Sequence, residues 1–127
     1  MGDCKIMKTI GIIGTRRRDD LGSFLKVKNA FLKVYKDGDR ICSGLCPKGG
    51  DRFATVIQAK FPSMPPPLWF PANWERYGKA AGFIRNTDIA LNSDVLIACV
   101  SEDRTGGTED TIKKFIKFHG EENLIIV

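Results

Sequence analysis

The chain has 127 residues, 43% of them hydrophobic, with 20 Lys and Arg against 15 Asp and Glu for a formal net charge of +5. That length buries one real core and leaves no room for a second, so a single domain over residues 1–127 is expected. No apolar run approaches the roughly 20 residues that span a bilayer, and no signal-peptide apolar region precedes the first predicted strand; a cytoplasmic chain with no membrane partner is expected. Myristoylation at Gly2 calls for Ser or Thr where Ile6 stands.

Residues 8–14, with the apolar run 10–13 closed by glycine, have the pattern of a strand buried on both faces. Asp19 or Asp20 then caps a helix whose Phe24, Leu25, Val27, Phe31, Leu32 and Tyr35 make an apolar stripe, stopped by Asp37, Gly38 and Asp39. Residues 40–43 read as a second strand and residues 51–60 as a helix with Phe53, Ala54 and Ile57 inward. Pro65, Pro66 and Pro67 make a rigid connector to a third strand at 68–70. A helix starting at about Glu75 or Lys79 runs to Leu91, a fourth strand spans 95–100, a helix 108–118 and a last strand 124–127. Strict alternation of apolar strands and amphipathic helices predicts an α/β fold, a Rossmann-like three-layer α/β/α domain with a parallel sheet of about five strands.

Three glycine-containing turns each follow an apolar strand and precede a helix. They are Gly14, Thr15 and Arg16; Ser43 and Gly44 through Asp51; and Thr105, Gly106, Gly107 and Thr108. In a parallel sheet every strand-to-helix turn emerges at the carboxyl edge, so all three line one crevice. Glycine lets backbone N–H groups approach a ligand, and a helix N-terminus adds free donors and partial positive charge. The pattern points to a phosphorylated or nucleotide-like small molecule.

Other chemistries find little footing. Cys42 and Cys99 fall inside predicted strands, where a thiol is a small buried hydrophobe, and Cys42 and Cys46 lack C-x-x-C spacing. The single histidine, His119, sits late in the last helix, where it complements the dipole; neither a metal site nor a cofactor is expected. Lysines are spread along helices, and Arg16, Arg17 and Arg18 are offset by Asp19 and Asp20. The triplet reads first as a solvated face, then as guanidinium groups reaching a phosphate, and last as a duplex-binding patch; a nucleic-acid partner is not favoured. There is no G-x-x-x-x-G-K-[ST] motif and no G-x-G-x-x-G after the first strand.

The run from Phe70 through Pro71, Ala72, Asn73, Trp74, Glu75, Arg76, Tyr77, Gly78, Lys79, Ala80, Ala81, Gly82, Phe83, Ile84 and Arg85 to Asn86 resembles ADW-x-x-[YH]-G-[KR]-x-A-G-P-x-R-N. That signature belongs to the YspA-like branch of the SLOG superfamily, which takes in LOG "lysine decarboxylase-like" proteins and DprA-type domains. The three glycine turns resemble the family's G-S-R, S-G-G-A-x-G-A-D and G-[GR]-G-T turns. Two departures stand out. Leu45 replaces the second glycine of the second turn, with one extra residue before Asp51, and Thr111 stands where LOG phosphoribohydrolases place a glutamate.

The resemblance implies strand order 3-2-1-4-5, a homodimer, and a crevice contacted by Arg85 and Asn86. Trp69, Trp74 and Tyr77 read as core packing or, second, as a stacking face. Asp51 reads as a helix N-cap or as an acceptor for a sugar hydroxyl. The leading functional expectation is a stand-alone SLOG-like module that senses or sequesters a nucleotide-derived ligand of the ADP-ribose type. The alternatives are an N-glycosidic hydrolase or transferase using Glu109 or Asp110, and a DprA-like nucleic-acid partner.

Overall fold

Alternation along the strands decides which side chains face which layer. The computed structural model describes residues 6–127; the Gly2 reading falls outside the described residues. Among the described residues, β1 (Thr9–Gly14), β2 (Arg40–Ser43), β3 (Leu68–Trp69), β4 (Val95–Cys99) and β5 (Leu124–Ile126) form one parallel sheet in the order 3-2-1-4-5. The helices are α1 (Leu21–Val34), α2 (Gly50–Lys60), α3 (Trp74–Tyr77), α4 (Ala81–Asn92) and α5 (Gly107–His119). Ile10, Ile12, Ile41 and Ile97 point to one face and pack with Phe24, Val27 and Phe31 of α1 and Phe53 and Ile57 of α2. Ile13, Cys42, Leu96 and Ala98 point to the other and pack with Ile89 of α4 and Ile112 and Phe115 of α5. This is the Rossmann-like three-layer architecture that the strand–helix alternation predicts.

Local differences have physical reasons. The stripe of α1 is narrower than read: Leu25 and Leu32 stay 45% and 48% exposed, because each lies one residue, about 100° of helical turn, past a buried phenylalanine. Asp20 supplies the N-cap of α1, its carboxylate accepting from Ser23 N at 3.1 Å. The expected third helix is split. Asn73 caps the four-residue α3, Gly78 takes φ +56 to end it, and a single 3-10 turn (Gly78–Ala80) leads into α4.

The contact that places α2 is backbone against backbone. A β-carbon at Gly50 would lie 2.1 Å from Ile13 C and 2.2 Å from Gly14 N, so the first residue of α2 presses on the end of β1. Thr15 N continues the neighbouring ladder by donating to Cys99 O at 2.9 Å. The ends of β1 and β4 and the start of α2 are thereby locked together at the point where strand order reverses.

Gly50→Ala is therefore expected to cost about 3 kcal/mol of stability in urea denaturation, the upper range for overpacking. Gly107→Ala, whose β-carbon would meet nothing closer than Asn86 Nδ2 at 3.7 Å, should stay within about 1 kcal/mol of wild type. Equal costs for the two would contradict the close-approach account.

Candidate functional site

The reversal of strand order between β1 and β4 leaves a crevice at the carboxyl edge, the position at which open α/β sheets take ligands. Its volume is about 340 Å³. Gly14, Thr15, Arg16, Asp51, Arg85, Asn86, Gly106, Gly107 and Thr108 all line it, so residues from the three turns and from α4 converge. Ser43 and Gly44 do not line it. Ser43 is fully buried beneath, and Gly44 lies against Arg85, whose Nη1 reaches Gly44 O at 3.4 Å. Glu109 and Asp110 are also outside the lining. Glu109 takes two hydrogen bonds from Arg104 (2.7 and 3.0 Å), and Asp110 accepts from Asn86 Nδ2 (3.1 Å) and Lys114 Nζ (2.9 Å).

The helix starts differ in how they are finished. Asp20 and Asn73 cap α1 and α3, whereas no side chain caps α2, α4 or α5, α4 running on from the 3-10 turn. The cap position of α5 is Gly106, with φ +100 and ψ −168, a conformation essentially reserved for glycine. Its first-turn amides border the crevice with the positive end of the helix dipole behind them.

Arginines at the mouth divide by their partners. Arg16 is exposed and makes no side-chain hydrogen bond or ion pair among the described residues. Arg17 donates to Asp103 Oδ2 at 2.8 Å, holding the Asp103 carboxyl well below the usual carboxylate range. Arg18 is a brace: it donates to Val100 O, Val127 O and Ser23 Oγ. The triplet therefore has one member committed to structure, one lightly held and one free.

Asp51 corrects one expectation. Gly49, at φ +76, occupies the cap position of α2, and Asp51 lies inside the first turn. Its carboxyl accepts from Cys46 N at 3.0 Å and stands 4.0 Å from Arg85 Nη1. Ser43 Oγ is 2.6 Å from Ile12 O and 3.0 Å from Asp51 Oδ1. A hydroxyl carries one hydrogen, so both contacts are hydrogen bonds only when Asp51 brings a proton of its own. Burial, the largest influence on this carboxyl, pushes its pKa up in the same direction.

Arg85 and Asn86 form the inner wall together. Arg85 Nε donates to Asn86 Oδ1 at 2.9 Å, and Asn86 Nδ2 donates to Gly107 O at 3.3 Å, tying α4 to the start of α5. The polar capacity of Asn86 is largely spent on this tie. The aromatic residues stand elsewhere. Trp69 packs against the α1–α2 core, while Trp74 and Tyr77 are 56% and 41% exposed and do not line the crevice.

The crevice also recruits residues outside the sequence-based set, among them Cys46, Ile89 and Thr111. Ile89 and Thr111 carry a recoverable signal, lying four residues after Arg85 and Gly107 on the same helix faces. Cys46 carries none. Cys42 and Cys99 are buried, and burial pushes the Cys42 thiol up to about 12, leaving it inert. Among the described residues no cluster of potential metal ligands occurs. Comparison of the chain with protein-family models, with curated proteins and with solved structures finds no match.

Asp51→Asn imitates the neutral acid, its amide donating to Ser43 Oγ and its oxygen accepting from Cys46 N. A carboxyl whose folded pKa is raised contributes fully below its unfolded pKa of about 3.9 and loses that contribution as pH rises through the folded value. The stability of Asp51→Asn relative to wild type should therefore increase between about pH 4 and pH 7 in paired urea melts. A difference that is flat or falls with pH would contradict a raised Asp51.

Proposed function

We propose that this chain binds a nucleotide or nucleotide-derived small molecule of the ADP-ribose type at the carboxyl edge of its sheet, as a sensing or sequestering module of the SLOG kind. The observation that carries the reading is the pairing of Arg16, unpartnered among the described residues, with the uncapped α5 N-terminus on one crevice. A guanidinium and a row of backbone N–H groups are the two donor types best suited to a phosphate. The inner wall, where Arg85 stands beside Asp51, offers hydrogen-bonding groups for a sugar or base rather than a second strong anion site. The crevice volume lies at the small end of the range for ligand pockets.

Leu45 also supports the SLOG reading. It stands where the family has glycine, and it adopts φ +60, the backbone conformation that glycine favours. N-glycosidic hydrolysis has less support, since Glu109 and Asp110 are engaged elsewhere and Asp51 is the one carboxylate among the described residues lining the crevice.

Arg16→Ala should weaken AMP binding about ten- to a hundredfold, the loss of one charge-assisted pair. Gly107→Val should block it, since a branched side chain stands where the phosphate meets the backbone. Both variants should melt like wild type. Titration calorimetry with AMP tests this, and unchanged affinity in both folded variants would move the site elsewhere.

The same reading includes a homodimer. Trp74, Phe83 and Leu91, on α3 and α4, are 56%, 60% and 51% exposed, a large apolar area for a free surface. Light scattering at tens of micromolar should give twice the 14.1 kDa chain mass. A value equal to one chain would contradict the dimer.

A further inference from the structure

The two edges of the sheet are finished differently. β3 holds two residues, and Pro65, Pro66 and Pro67 before it and Pro71 after it remove backbone donors from that edge. β5 forms the other edge, pairs only with β4 among the described residues, and carries no proline, lysine or arginine. Alternation decides which of its backbone groups are free. Asn123 O accepts from Leu96 N and Val127 N donates to Ala98 O, both at 3.0 Å, so Asn123, Ile125 and Val127 turn their backbone toward β4. Ile126 therefore turns its N–H and C=O outward, beside the outward C=O of Leu124, whose N–H is spent on Glu121 O. A groove of about 370 Å³ lies between this strand and α1. Its floor is apolar, made by Ala30, Ile125 and Val127, and its rim on α1 is the exposed Lys26, Asn29 and Lys33. None of these three makes a side-chain hydrogen bond or ion pair among the described residues, and no Asp or Glu lines the groove.

We propose that the edge of β5 takes an extended, acidic segment of a protein partner as a sixth strand. The segment's backbone pairs with Ile126 and with Leu124 O, the mode by which an exposed edge recruits a peptide. Its side chains settle the chemistry. Those on one face of a strand recur every second residue, about 6.6 Å apart. Lys26 and Lys33 are seven residues apart on α1, about 10 Å along the helix. An apolar side chain over Ile125 and Val127, with an acid two residues before it and another two residues after, spreads its carboxylates about 13 Å, within reach of two long lysines. The groove thus reads the pattern acid–x–apolar–x–acid. Glu121 and Glu122, exposed ahead of β5, disfavour a further acid beyond that end of the strand. The groove shares no lining residue with the carboxyl-edge crevice, so this proposal does not rest on the nucleotide reading.

Two fluorescein-labelled peptides test it by anisotropy in low salt: Thr-Glu-Thr-Val-Thr-Glu-Thr, and the same peptide with lysine in place of both glutamates. The acidic peptide should bind about tenfold tighter than the basic one, the worth of two exposed ion pairs set against two repulsions. Exchanging both groove lysines, Lys26→Glu with Lys33→Glu, alters only exposed helix positions and should reverse the preference. Ile126→Pro removes the outward N–H at an edge position that tolerates proline, and it should abolish binding of the acidic peptide. Should that variant fail to melt like wild type, the amide resonance of Ile126 in the unaltered protein reports the same contact and should move on titration with the acidic peptide. No saturable binding up to about 1 mM, equal affinity for the two peptides, a preference that survives the double exchange, or an unmoved Ile126 amide would overturn the proposal. So would self-association that Ile126→Pro abolishes, since a second copy of the chain would then hold the edge.

Discussion

The approach of Gly50 to the end of β1 is the constraint on which the site depends. No side chain fits between the first residue of α2 and the backbone of Ile13 and Gly14. Once that contact is made, the turn after β2 lies under the mouth of the crevice, and Asp51 reaches Cys46 N and Ser43 Oγ to close it. Gly49 N completes the arrangement by donating to Asp19 Oδ1, which joins the turn after β1 to the start of α2. On the opposite side Asn86 ties α4 to Gly107 O. The crevice is thus bounded by elements fixed through backbone contacts and short polar bridges, while its floor is the apolar pair Ile13 and Ile89. Binding groups held this firmly lose little freedom when a ligand arrives.

The distribution of charge follows from the same frame. Near the sheet, Asp51 stands 4.0 Å from Arg85, and burial pushes its carboxyl toward the neutral acid. At the mouth, Arg16 has no acidic partner among the described residues, and the acids in the first turn of α5, Glu109 and Asp110, are paired with Arg104 and Lys114. A phosphate at one end of a ligand complements that arrangement. The pairing of Glu109 with Arg104 removes an acid that would otherwise oppose the phosphate beside α5.

The fold was legible because strand and helix periods are strong signals: runs such as 95–100 are apolar throughout, while α5 carries Ile112, Phe115 and Ile116 at helical spacing. The parallel sheet and its carboxyl-edge turns follow from that alternation, and the strand order matches the one implied by the SLOG resemblance. Side-chain commitments were less legible. Nothing local distinguishes Arg16 from Arg17 and Arg18; their roles are set by Asp103, Val100 and Val127, more than 80 residues away. The cap reading of Asp51 failed for a similar reason. A short polar residue at a helix start is an ordinary cap, but the close approach of Gly50 moves that start two residues upstream and turns Asp51 inward. Tertiary contacts override local preference at the elements that build the site.

The central claim, a phosphate held between Arg16 and the first turn of α5, is tested most directly by following backbone amide resonances while AMP and then adenosine are titrated into the protein. The account predicts that AMP shifts the amides of Thr15, Arg16, Gly107 and Thr108 most, that adenosine at equal concentration leaves them nearly unmoved, and that Gly120 at the far end of α5 responds to neither. Equal shifts from AMP and adenosine, or AMP shifts concentrated away from these turns, would contradict it.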